Sequence, residues 1–371
     1  MTDRERVSAI LHYETYDRMP IVSFGFWDET LARWRDEGHL TTAEIEGWAD
    51  GNDKDRAVGA KLGFDFNWQT MFGGNANLDP VFETRVIEEM PDGMRKVQSS
   101  WGVINLEKPG VSSIPSEVDH LLKDRAAWEE LYLPRLRPST SRVDSAALRR
   151  MKEGPRRAEP LGLHCGSLFG AIRDWVGLIG ISYLQADDER LYDEIIDTLG
   201  SLAYSVVEQI LAVYDDFDYA HFWEDICFKN GPLVVPSVFR EKVGPHYARI
   251  SQLVHSHGID IVSLDCDGLI DSLVPIWVEN GVNTMFPIEV GTWKASIAPW
   301  RARFGRELRG VGGMDKKVFA YDRAAIDAEI ERLRPLVDLG GYIPCPDHRI
   351  APDATWDNVR YYCDRMREVY R

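Results

Sequence analysis

The run Ile259-Asp260-Ile261-Val262-Ser263-Leu264, ending in Asp265-Cys266-Asp267-Gly268, decides the fold. A short β-branched stretch that stops at clustered acids and a glycine predicts a buried strand opening into a loop. Carboxylates at the mouth of a buried strand are costly unless a metal, a cation or a proton uses them.

The same pattern recurs along the chain. Strands are predicted over 19–24, 64–68, 160–164, 218–222, 259–264, 283–287, 308–311 and 341–344. Helical stretches fall over 4–11, 178–214, 236–257, 270–280, 296–304, 323–339 and 356–370. Repeated strand–helix units imply parallel strands with right-handed crossovers. Eight of them predict an α/β chain folded as a (β/α)8 TIM barrel with an N-terminal helix. The rival, a doubly wound open sheet, calls for a glycine-rich phosphate loop after the first strand. Gly25-Phe26-Trp27-Asp28 is not such a loop.

One segment breaks the rhythm. Arg85–Glu88, a turn at Pro91-Asp92-Gly93 and Arg95–Gln98 predict a β-hairpin inserted after the second strand, over 84–108, continued by Trp101–Asn105. A helical, proline-punctuated segment is expected after it. No linker divides the chain, so 1–371 reads as one barrel domain.

Composition narrows the function. The 371 residues carry a net charge of −17, which disfavours nucleic acid and anionic membrane surfaces as partners. No apolar run is long enough for a spanning helix. The N-terminal residues lack the apolar core of a signal peptide. Five scattered cysteines without a CxxC pair suit a reducing compartment, so a cytoplasmic location is expected. Twelve Trp serve the core or line a pocket for flat ligands.

Barrel enzymes place their chemistry at the C-terminal ends of strands. Those ends here read His164-Cys165-Gly166, His221-Phe222-Trp223-Glu224-Asp225, Asp265-Cys266-Asp267, Ile288-Glu289, Met314-Asp315-Lys316 and Cys345-Pro346-Asp347-His348. A single Asp in such a place is explained equally well as a helix cap. Asp265, Asp267, Glu289 and His348 at neighbouring strand ends predict a site for a divalent metal, zinc or another borderline ion. Cys165, Cys266 or Cys345 would add a thiolate, or simply pack in the core. Without a metal, the same acids serve a cationic substrate or acid–base work.

These segments, with Arg4-Glu5-Arg6-Val7, Asp17-Arg18-Met19-Pro20, Lys229-Asn230-Gly231-Pro232, Phe286-Pro287-Ile288-Glu289 and Gly312–Lys316, resemble the uroporphyrinogen decarboxylase superfamily, within it the corrinoid-dependent methyltransferase branch. The resemblance runs over nearly the whole chain. Two departures stand out. The arginine-rich segment that grips porphyrinogen carboxylates is replaced by Phe24–Glu29. The His-x-Cys zinc ligands of thiol-methylating members become Asp265-x-Asp267, and the later Cys becomes His348. Harder ligands leave a harder Lewis acid, suited to an ether oxygen. The resemblance therefore implies a methyltransferase that takes a methyl group from an O-methyl, aromatic ether substrate and passes it to a corrinoid on a partner protein. Glu224, Glu289 and Asp315 are its expected catalytic acids. Trp27, Trp223, His164 and Lys229 are its expected substrate contacts. A metal-independent decarboxylase acting on a smaller substrate is the alternative. Monomer and homodimer stay open.

Overall fold

Short apolar runs separated by helices fold here as parallel strands. The computed structural model describes residues 1–91, 93–108 and 116–371, so Asp92 of the expected turn lies outside the described residues. Its strands in chain order are β1 (Val22–Ser23), β2 (Phe66–Asn67), β3 (Met71–Gly73), β4 (Arg85–Glu89), β5 (Arg95–Gln98), β6 (Val103–Glu107), β7 (Ser116–His120) and β8 (Gly162–His164). They continue with β9 (Tyr219–Trp223), β10 (Cys227–Phe228), β11 (Gly231–Pro232), β12 (Val262–Asp265), β13 (Thr284–Ile288), β14 (Arg309–Met314) and β15 (Tyr342–Pro346).

Seven of them form one parallel sheet in the order β15-β14-β13-β12-β9-β8-β3. Its two ends are joined through β1 and β2. β1 pairs in parallel with β2, and the Trp68 N–H donates to Ser23 O while the Gly162 N–H donates to Thr70 O. On the other side Phe26 bridges Ile350, with the Ile350 N–H on Gly25 O at 3.0 Å. This is the strand arrangement of a TIM-barrel-like α/β fold. The predicted second strand is interrupted, and β3, absent from the sequence reading, makes the contact to β8.

The insertion is a four-stranded antiparallel sheet, β4-β5-β6-β7. The hairpin lies where expected. β7 is an additional strand absent from the sequence reading, because Ser116-Glu117-Val118-Asp119-His120 has only one strong strand former and takes its conformation from pairing with β6. The expected helical, proline-punctuated segment follows it, from Arg125–Ala127 to Ser145–Glu153. Trp34, Trp68, Trp128, Trp175 and Trp277 are fully buried, so much of the tryptophan serves the core.

The helix expected from residue 178 begins earlier, at Gly170, and runs Gly170–Asp187 with a break at Gly177, whose φ is +67°. Its start is set by a distant residue. The Glu224 carboxylate accepts from the Leu168, Phe169 and Gly170 N–H groups at 2.9, 2.9 and 2.7 Å. Burial raises this carboxyl, against the pull of the Tyr247 hydroxyl and of these backbone donors.

Candidate functional site

The ends of β12 and β15 bring two of the expected residues into contact. His348 Nε2 lies 3.2 Å from Asp267 Oδ2. The imidazole stacks on Trp27, with ring centres 5.5 Å apart and planes at 18°, and leans on Phe24 at 5.3 Å. Asp267 Oδ1 and His348 Nδ1 are buried without hydrogen-bond partners among the described residues. Buried polar atoms are rarely left unpaired, so these two mark where a ligand group or water belongs.

Asp265 sits two residues earlier and is 5% exposed. Its Oδ2 accepts from Gln69 Nε2 at 2.7 Å. Burial, followed by the charge of Asp267, pushes this carboxyl well above the usual range, against the pull of Gln69. Cys266, between the two acids, turns away and receives the Ile226 N–H on its Sγ at 3.4 Å. Burial raises the Cys165 thiol to about 12, and Cys266 and Cys345 are also pushed up. None of these thiols is poised as a thiolate ligand.

The other expected residues divide. The Glu289 carboxylate accepts from the Gly268 N–H at 2.8 Å and from the Thr292 hydroxyl. Asp315 caps the turn that follows it through the Lys317 N–H at 3.0 Å. Glu224 is fully buried and spends its oxygens on the helix start, the Ser167 hydroxyl and the Tyr247 hydroxyl. Trp223 is half-buried beside Gly166, whose carbonyl takes its N–H. Lys229 is exposed at the tip of the β10–β11 hairpin.

Among the described residues no three His, Cys, Asp or Glu side chains gather as a group able to hold a metal ion. The expected set of Asp265, Asp267, Glu289 and His348 is therefore not assembled as ligands. Asp267 and His348 meet, Glu289 is committed to Gly268 and Thr292, and Asp265 is held by Gln69.

Further residues gather at this mouth: Asp225, Lys316 and Asp347 stand in the strand-end runs without an expected role, whereas Gln69 and Arg173 carry no sequence signal. Gln69 positions Asp265 from the second strand position. Asp225 has a φ of +47°, a strained conformation for a non-glycine residue. Its carbonyl is held by Arg173 Nη1 at 2.7 Å, and burial raises its carboxyl against that guanidinium. Asp347 accepts from the Val290, Gly291 and Lys316 N–H groups at 2.9, 2.7 and 3.1 Å. Burial pushes it up to about 6. Lys316 is lowered by burial, opposed by Asp347 and Asp267.

Below the acids, His164 and His221 face each other in register on β8 and β9. His221 Nδ1 is 3.1 Å from Ser263 Oγ, and its Nε2 is buried without a partner among the described residues. Burial lowers His164 to about 4 and His221 well below its ordinary value, the latter also through His164. An unfolded chain protonates His near 6.5, so between about pH 6.5 and 4 the unfolded state binds more protons. Stability attributable to His164 is thus complete above that window and is lost as pH falls through it, up to roughly 3 kcal/mol. Asn at 164 keeps an acceptor for the Gly166 N–H, now 3.1 Å from Nδ1. The unfolding free energy of His164→Asn, measured from pH 7 to 4.5, is expected to fall less steeply than that of the wild type. Parallel curves would remove His164 as a source of acid sensitivity.

No family model matches the chain, and no curated protein matches it. Among solved structures it is similar to a methyltransferase from Methanosarcina mazei, with 15% identity, a TM-score of 0.61 and 99% of each chain covered. A B12-independent methionine synthase from Shewanella sp. W3-18-1 has 10% identity and a TM-score of 0.49 over 95% of this chain and 98% of its own. At these identities the likeness to the Methanosarcina protein establishes the fold over the full length, and the fold alone.

Proposed function

We propose that this chain is a methyltransferase. It takes a methyl group from the oxygen of a small, aromatic methyl ether and passes it to a corrinoid carried by a separate protein. The observation that carries the reading is the Asp267–His348 contact at the barrel mouth, walled by Trp27 and Phe24 and flanked by the buried Asp265. When the methyl–oxygen bond breaks, its electron pair stays on oxygen, which is a poor leaving group unless a proton arrives. A carboxyl and an imidazole in contact can deliver one. The aromatic wall suits a flat donor. The Methanosarcina neighbour is itself a methyltransferase, which agrees with this reading.

The divalent ion implied by the resemblance receives no step, because its ligands are not gathered. The unassembled set also favours a second reading, a metal-independent lyase that releases CO2 from a smaller acid. The many carboxylates at the mouth repel an anionic substrate and rank that reading second.

The test is to incubate the protein with reduced corrinoid and a panel of methoxylated aromatics, following methyl-corrinoid formation by absorbance. Methylation with at least one donor, and release of the matching phenol, is the expected result. CO2 release without methylation would replace the proposal by the lyase. Metal content measured on the same preparation assigns the leaving-group role. Full activity without metal assigns it to the acids. Stoichiometric zinc that is lost in Asp267→Asn assigns it to the ion.

A further inference from the structure

A large cavity lies away from the strand-end cluster. About 730 Å³ of space lies between β7 and the helix Gly170–Asp187, and it shares no residue with the acids of the mouth. Its walls are Val118, Val176, Ile179, Tyr183 and Leu184, with the His120 imidazole on one side. Three of these leave much apolar surface in water: Ile179 is 73% exposed, Tyr183 65% and Val118 48%. A core has no use for such residues, whereas a ligand would cover them.

Two features of the helix shape the space. The helix breaks at Gly177, so its second half leaves the line of the first. Its glycines also let β7 side chains come close. A Cβ at Gly177 would lie 2.9 Å from the Glu117 carboxylate, and one at Gly180 would lie 3.1 Å from the His120 ring. The volume falls within the roughly 300–1,000 Å³ of small-molecule sites.

Charge selects the ligand. The cations at the rim are already paired, Lys123 with Asp119 and Arg125 with Glu194 and Asp188. Glu117 and Asp187 line the cavity and form no ion pair among the described residues. Burial lowers His120, with Lys123 adding to the effect, so at neutral pH the imidazole stays uncharged. The free charge at the rim is negative, over an apolar floor.

We infer that this cavity is a second small-molecule site, and that it takes an amphipathic cation, an apolar or aromatic body carrying one ammonium group. The inference does not depend on the methyl-transfer reading.

Titration calorimetry at low salt with 2-phenylethylamine, and with 3-phenylpropionate as its anionic counterpart, tests this. One amine per chain is expected, bound at least tenfold more tightly than the acid. The exposed pair Ile179→Ser with Tyr183→Ala should weaken amine binding tenfold or more at an unchanged thermal midpoint. Glu117→Gln with Asp187→Asn should weaken it at least threefold. Asp267→Asn should leave it unchanged. Equal affinity for amine and acid, no binding, or binding lost in Asp267→Asn but kept in the cavity variants would overturn the inference. So would a concentration-dependent dimer in sedimentation velocity that Ile179→Ser with Tyr183→Ala dissolves, because the patch would then be a subunit interface.

Discussion

His348→Gln is expected to lower the turnover of methyl transfer by roughly a hundredfold or more, the range for losing a positioned acid–base group. Gln retains hydrogen-bonding capacity but cannot take up and release a proton at neutral pH. His348 is held by Trp27, Phe24 and Asp267, and Gln fills much of the same space, so the fold should survive. The loss should fall on kcat more than on KM, because the proton is needed when the bond breaks rather than when the donor binds. Asp267→Asn should cost a similar factor. If the two residues act as a unit, the double variant should lose little more than either single one. Initial rates at saturating donor, on protein with a native circular dichroism spectrum, decide it. A His348→Gln enzyme within twofold of wild type would remove the pair from the chemistry.

Glu224→Gln should act on the other axis. Its carboxylate accepts from three backbone N–H groups, the Ser167 hydroxyl and the Tyr247 hydroxyl. An amide turns one acceptor into a donor facing donors, in a fully buried place. The expected cost is roughly 2–4 kcal/mol of unfolding free energy, the range for an unsatisfied buried polar group next to a lost charge-assisted bond. Denaturant unfolding measures it. Unchanged stability with abolished turnover would restore Glu224 as a catalytic acid. The cap also explains why Gly170 is glycine: a Cβ there would lie 1.9 Å from the Glu224 carbonyl oxygen.

The strand–helix alternation and the acids at strand ends were legible in the residues, because buried parallel strands leave unbroken apolar runs and their exits are marked by polar residues. The Asp267–His348 contact could be anticipated from topology, since both lie at the same end of the barrel. Other parts were hidden. β7 owes its conformation to β6, and the helix from Gly170 owes its start to a carboxylate 54 positions further along the chain. Glu224 and Asp315 looked like catalytic acids because a cap and an acid share one residue type, and only the hydrogen-bond partners tell them apart. Gln69 and Arg173 reach the mouth from elements whose sequence gives no hint of it.

The joining of the sheet's ends has a consequence for synthesis. Phe26 must wait for Ile350. Nearby, the Thr30 hydroxyl and the Trp34 indole also donate to the carbonyls of Ile350 and Ala354. At a translation rate of about 5–20 residues per second, the first strand is without that neighbour for tens of seconds. Until then the segment around Phe26, just after β1, presents an unpaired edge on the ribosome, where another nascent chain or a chaperone can reach it.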